Sequence, residues 1–121
     1  VSGDLGRFGE AWAAGYLTRH GYRIVDRNVR YRHGEIDLVA WHGETLVFVE
    51  VKCRKGTRFG SPEASITRAR YERLASAVAA YLQERRLEDA DYRVDVVAIE
   101  VGSQGTVTRH ELIEGAEAPA G

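Results

Sequence analysis

Asp37, Glu50 and Lys52 are the residues whose types and spacing best suit chemistry in this chain. Glu50 and Lys52 close the apolar run Leu46-Val47-Phe48-Val49 and stand two apart, so on an extended strand they share a face. Asp37 lies in the preceding stretch, residues 35–41, which opens by alternating charged and apolar side chains as a strand does. A tight turn joins the two stretches. With Gly43-Glu44 as the central residues of a Gly-first type II′ turn, Asp37 falls opposite Glu50 and Glu35 opposite Lys52. Side chains so opposed hold their Cβ atoms about 4.5–5.5 Å apart, and like charges at that distance repel. Their surroundings are apolar: Ile36, Leu38 and Val39 on one strand, Val47, Val49 and Val51 on the other. Two carboxylates in such a place need a cation, or one of them keeps its proton. Three cations are available: Lys52 itself, an arginine from elsewhere, or a divalent metal, for which oxygen ligands of this kind suit Mg²⁺ or Mn²⁺. An ordinary salt-bridge cluster, Glu35 with Lys52 and Asp37 or Glu50 with an arginine, is the alternative at this point.

The elements that must position these groups follow from periodicity and punctuation. Residues 4–20 predict a helix, with Asp4 as N-cap and Gly21 as the stop. At about 100° per residue Glu10 shares a face with Ala13, Ala14 and Leu17, whereas Phe8, Trp12 and Tyr16 fall on the other side. Glu10 is therefore expected on a small-residue face packed against a sheet, and the three aromatics are expected in the core, a dimer interface being the alternative. Residues 22–31 predict an edge strand, His33-Gly34 a turn, and residues 45–54 a strand buried on both faces. Residues 55–61 read as a flexible loop, and Pro62 suits the first turn of a helix running to about Arg86. The apolar stripe of that helix is Leu74, Ala77, Val78 and Tyr81, and helical steps carry it back through Arg70 and Ile66. An arginine on a core stripe is expected to point toward the acidic pair, with snorkelling or an error in the helical register as the alternatives. Residues 92–101 and 106–113 predict two further strands, and the tail from Gly115 reads as disordered. The order α-β-β-β-α-β-β predicts an α/β sandwich with a mixed sheet, one domain over residues 1–114 with a tail at 115–121.

Composition bounds the answer. A chain of 121 residues, 44 % hydrophobic and 29 % charged, supports one core and excludes wholesale disorder. A single cysteine forms no internal disulfide, so a reducing cytoplasm is the expected compartment. The longest apolar run, residues 77–82, is too short to span a bilayer, and no membrane partner is expected. Lys and Arg number 17 against 18 Asp and Glu, a net charge of −1, which is unlike a typical DNA-binding domain. The charges nevertheless fall in blocks. Arginines 19, 23, 27, 30 and 32 form one basic block, and residues 52–73 form another that includes Lys52, Arg54 and Arg70. Residues 34–51, between them, carry Glu35, Asp37, Glu44 and Glu50 and no base. A phosphate-binding rim around an acidic metal site has this pattern, as does a solvated surface. Arg30, Arg32 and Arg54 read singly as generic surface charges that are useful collectively. Cys53 faces away from Lys52 as a core thiol, Arg93 and Asp95 predict a structural ion pair, and the four histidines show no zinc spacing.

Several stretches taken in order carry a family resemblance: Gly9-Glu10 with Ala13 and Leu17, Gly21-Tyr22, Arg27-Asn28-Val29-Arg30, Gly34-Glu35-Ile36-Asp37-Leu38-Val39, residues 47–54, and Arg93-Val94-Asp95-Val96-Val97. Asp37 followed by Glu50-Val51-Lys52 resembles the Asp…(Asp/Glu)-x-Lys signature of the restriction-endonuclease-like superfamily. The chain as a whole resembles the YraN-like family of predicted nucleases, which are similar to archaeal Holliday-junction resolvases. The resemblance implies a restriction-endonuclease-like α-β-β-β-α-β core with helices flanking a mixed sheet, and a Mg²⁺- or Mn²⁺-dependent endonuclease acting on branched or structured DNA. It implies that Asp37 and Glu50 bind the metal with the Val51 carbonyl, and that Lys52 orients or deprotonates the attacking water. Glu10 would be a further acidic ligand or would hold a metal-bound water. Arg70 stands where the family pattern often has lysine, which suits phosphate contact better than proton transfer. Arg30, Arg32, Arg54 and Arg70 are the expected DNA contacts, and a homodimer would serve symmetric cutting of two strands. A non-catalytic nucleic-acid-binding adaptor and a protein-interaction module with a purely structural acidic cluster are the rival functions.

Overall fold

The computed structural model describes residues 3–56 and 66–118. Helix α1 (Asp4–Arg19) is followed by strands β1 (Tyr22–Tyr31), β2 (Gly34–His42) and β3 (Thr45–Lys55), helix α2 (Arg68–Glu84), and strands β4 (Tyr92–Val101) and β5 (Val107–Ile113). The strands form one sheet in chain order, antiparallel except for the parallel β3–β4 pair. Parallel neighbours need a crossover, and α2 supplies it. The element order is the expected one, and the mixed sheet with a helix on each face is the α/β restriction-endonuclease-like core.

Each helix seals its own core. Ala13, Ala14 and Leu17 of α1 pack with Leu38, Ala40, Val47, Val49 and Ile99, while Leu74, Ala77, Val78 and Tyr81 of α2 pack with Ile36, Val39 and Phe48. Strand β3 feeds both layers, which explains its unbroken apolar run. Two glycines set the helix-to-sheet distances. A Cβ at Gly9 would stand 2.7 Å from the Cβ of Cys53, and one at Gly34 would stand 1.9 Å from the carbonyl oxygen of Arg73. Burial raises the Cys53 thiol above its usual range, as befits a core sulfur. Away from these contacts, fully buried Asp95 accepts hydrogen bonds from Arg93 Nε (3.0 Å), Tyr22 Oη (3.2 Å) and the Gly115 N–H (3.0 Å). The expected structural ion pair is thus present and fully partnered.

Four expectations change. The N-cap of α1 is Gly3, and Asp4 sits in the first turn, where it favours the helix dipole and pairs with Arg7. Helix α2 begins at Arg68: Thr67 is extended (φ −81°, ψ 164°) and its hydroxyl accepts the Arg70 N–H at 3.1 Å, a side-chain cap that fixes the start. Most of the expected loop and the Pro62 helix start fall within residues 57–65, outside the described residues. The α1 aromatics reach the core only in part: Trp12 and Tyr16 pack against the margin of the α1-side core, and Phe8 does not. Phe8 is 38 % exposed, and half-buried Trp12 and Tyr16 stack on each other and tilt against His110 of β5. The small-residue face is the one fully buried, because it allows the closer approach. Finally, the start of the expected disordered tail is tied down: Gly115 bonds Asp95, the Ala116 N–H donates to the Val94 carbonyl at 2.7 Å, and Tyr71 Oη donates to the Ala116 carbonyl. Residues 119–121 lie outside the described residues. Among the described residues no helix is long and apolar enough to cross a membrane.

Candidate active site

The β2–β3 hairpin has the register its turn predicts. Gly43 takes φ 63°, as the first central residue of a type II′ turn requires, and the ladder runs from His42↔Thr45 to Leu38↔Val49. The paired ladder ends there, next to the acids. Asp37 Oδ2 accepts the Val51 N–H at 2.8 Å, so a side chain serves an amide of the neighbouring strand. Glu50, only 5 % exposed, lies against Asp37 and accepts a 2.5 Å hydrogen bond from Arg70 Nη2 on Oε2. Removal from water and the Glu50 charge push the Asp37 carboxyl up to about 8; the Val51 N–H opposes that rise and the Glu10 charge adds to it. Burial and the Arg70 charge bring Lys52 below the ordinary lysine value, with Glu50 and Asp37 pulling the other way.

Asp37, Lys52, Glu10, Arg30 and Arg70 all line one cleft of about 790 Å³, and Val51 lines it too. Glu50 lies beside it, in a smaller recess that it shares with Arg70 and Arg73. Gly9 positions Glu10, since the close approach of α1 to Cys53 lays this turn of the helix along β3. Arg70 arrives from the first turn of α2, on the stripe that the helical steps predicted.

Not every expected partner is met. Glu35 pairs with Arg30 across β1–β2, at 3.7 Å, and not with Lys52, because the β2–β3 ladder has ended before it reaches them. Arg32 and Arg54 do not line the cleft; Arg32 is exposed at the β1–β2 turn and Arg54 follows Lys52 along β3. Glu10 stands on the cleft wall but does not complete a cage, for among the described residues no three Asp, Glu, His or Cys side chains converge as a metal site. Two carboxylates and a carbonyl remain. That donor set fits a hard divalent cation, which binds through one or two carboxylates and keeps several of its waters. Asn28 was not among the expected site residues, yet it lines the cleft with a left-handed backbone, φ 52°. Its signals in the sequence are its place in the stretch Arg27-Asn28-Val29-Arg30 and its type, since asparagine tolerates that conformation better than most residues.

A mixed α/β core with two crowded acids, a lysine and an arginine beside one cleft defines a protein of the restriction-endonuclease-like class. Within it, the chain belongs to the uncharacterised protein family UPF0102, the YraN-like group, whose sequence model matches residues 9–99, from Gly9 beside Glu10 to beyond Asp95. It is 47 % identical over 116 residues to a UPF0102 protein of Symbiobacterium thermophilum, covering 96 % of this chain and 98 % of the relative. A UPF0102 protein of Moorella thermoacetica is 44 % identical over 92 % of each chain, and one of Methylococcus capsulatus is 48 % identical over 79 % of this chain and 77 % of its own.

Proposed function

We propose that this protein is a Mg²⁺- or Mn²⁺-dependent nuclease that hydrolyses phosphodiester bonds of branched or otherwise structured DNA. The observation that carries the proposal is the meeting of Asp37 and Glu50, two carboxylates that repel, with Lys52 and Arg70 beside a single polar cleft. Purely structural ion pairing needs no open cleft, and the pair Arg93–Asp95 in the same molecule shows how such groups look when fully partnered.

Asp37, Glu50 and the Val51 carbonyl would hold the cation. When bound, it supplies charge neutralisation at the phosphate and lowers the proton affinity of the attacking water. Lys52, its own proton affinity reduced, orients that water or accepts its proton, and offsets charge on the phosphate. Arg70 stays protonated throughout, so its part is electrostatic: it holds Glu50 in the free protein and, with Glu50 engaged elsewhere, would contact a phosphate oxygen. Arg30 holds a neighbouring phosphate, and Glu10 fixes a water at the cleft wall. Arg32 and Arg54, outside the cleft, extend the backbone contact. Branched DNA as substrate, and a homodimer that cuts two strands symmetrically, come from the likeness to junction resolvases.

The test is a cleavage assay on linear, flap, gapped and four-way DNA, with and without Mn²⁺, beside Glu50→Ala and Lys52→Ala proteins. Mn²⁺-dependent cleavage by the unmutated protein is expected, lost in both variants, with DNA affinity surviving in Lys52→Ala. Affinity with no cleavage under any divalent metal would overturn the enzyme in favour of a binding adaptor.

A further inference from the structure

We infer that Asn28 is the positioning residue that delivers the Asp37 carboxylate to the cleft. Strand alternation breaks within β2: Ile36 belongs to the α2-side core and Leu38 to the α1-side core, although residues two apart on a strand share a face. Strand β1 breaks at the same level. Val29 packs on the α2 side, while Arg27, paired with Leu38, faces the α1 side. Pairing continues through the break without a slip, from Arg27↔Leu38 to Val29↔Ile36, so Asn28 stands opposite Asp37. Asn28 has φ 52°, and of the two non-glycine residues with positive φ among the described residues it is the one inside a strand.

These observations have one cause. A left-handed residue inside a strand turns the chain so that the next side chains exchange faces, and no residue need be added to either strand. With Asn28 left-handed, β1 follows β2 through the break and keeps its pairing. Asp37 is thereby released from both packed layers and swings to the side of β3, where its Oδ2 receives the Val51 N–H at 2.8 Å. A β-branched residue at position 28 disfavours that backbone, glycine accepts it freely, and alanine lies between. The link to catalysis rests on the hydrolytic role proposed for Asp37; the link from Asn28 to Asp37 does not.

The Val51 amide reports the Asp37 position without metal or DNA, so the experiment is residue-resolved hydrogen exchange on the unmutated protein and on Asn28→Val, Asn28→Ala, Asn28→Gly and Asp37→Ala. Protection at Val51 is expected to fall about tenfold in Asn28→Val and in Asp37→Ala, less in Asn28→Ala, and to return in Asn28→Gly. Core amides such as those of Phe48 and Val97 are expected to hold within about twofold in Asn28→Ala, which separates local displacement from general loosening. Mn²⁺ affinity is expected to follow the same order. Should Asn28→Val fail to fold, the alanine and glycine variants decide. Unchanged Val51 protection in Asn28→Ala and Asn28→Val, or a glycine variant no better than alanine, would overturn the inference. If Val51 protection follows the predicted order while the unmutated protein binds no Mn²⁺, the proposed nuclease function fails and the positioning role stands.

Discussion

Asp37 is crowded by a second carboxylate and half removed from water, and that makes it a pH-sensitive weak point of the metal-free protein. In the unfolded chain it titrates near 3.8; in the fold it is pushed up to about 8. Between those values the folded state keeps a proton that the unfolded state has released, so stability falls as pH rises through this window and levels off above it. Below about pH 4 both states hold the proton and Asp37 contributes no slope. Urea unfolding of the metal-free protein is therefore expected to show stability declining from pH 5 to pH 8 by an amount on the order of a few kcal/mol, and Asp37→Asn to flatten that decline. Arg70 acts in the same place with the opposite sign. Its guanidinium occupies Glu50 while no metal does, so Arg70→Ala is expected to cost about 1–3 kcal/mol of metal-free stability, since Glu50 is left buried and unpaired while Arg70 itself is half exposed. The same variant is expected to bind Mn²⁺ more tightly, because a competing cation is gone, and DNA more weakly. Calorimetry and a DNA-binding titration check the two directions, and Mn²⁺ affinity that drops in Arg70→Ala would contradict the competition.

At the scale of elements, the site depends on how closely two helices approach the sheet. Gly34→Ala would drive a Cβ into the Arg73 carbonyl, a backbone atom that yields only if α2 moves, and α2 carries Arg70. A loss of about 3 kcal/mol or more is expected in urea unfolding. Gly9→Ala is expected to lose less, because the clash with Cys53 is partly offset by about 1 kcal/mol of helix propensity. The hairpin register was legible in the sequence: a Gly-first turn and a period of two fix it and so set Asp37 beside Glu50, but not where the ladder stops short of Glu35 and Lys52. Arg70 was legible because helical steps carry the apolar stripe of α2 back to its first turn. The start of α2 was not, since Pro62 and Thr67 both suit a helix N-terminus and only the packed structure selects Thr67. Periodicity likewise separated the two faces of α1 and assigned the small-residue face to the sheet, but did not show that the aromatics reach only the core's margin. The break at Asn28 and Asp37 was invisible for a related reason: one backbone dihedral of opposite sign leaves composition and spacing untouched.

For the whole molecule, a net charge of −1 conceals a polarised surface, because Arg30, Lys52 and Arg70 gather at the cleft that also holds the acids. If these three, together with Arg32 and Arg54 outside the cleft, neutralise phosphates, log Kd against log salt for duplex DNA is expected to have a slope of magnitude about 4–5, and Arg30→Ala to lower it by about 1. A weak slope, unchanged by Arg30→Ala, would remove the cleft from the DNA-binding surface. The central claim is that one pair of strand carboxylates forms a cradle for a divalent cation. Calorimetric titration of Mn²⁺ into the DNA-free protein tests it most directly. Saturable binding to the unmutated protein, weakened about tenfold or more in both Asp37→Ala and Glu50→Ala, is the predicted result. No heat of binding to the unmutated protein, or equal affinity in the two variants and the unmutated chain, would contradict it.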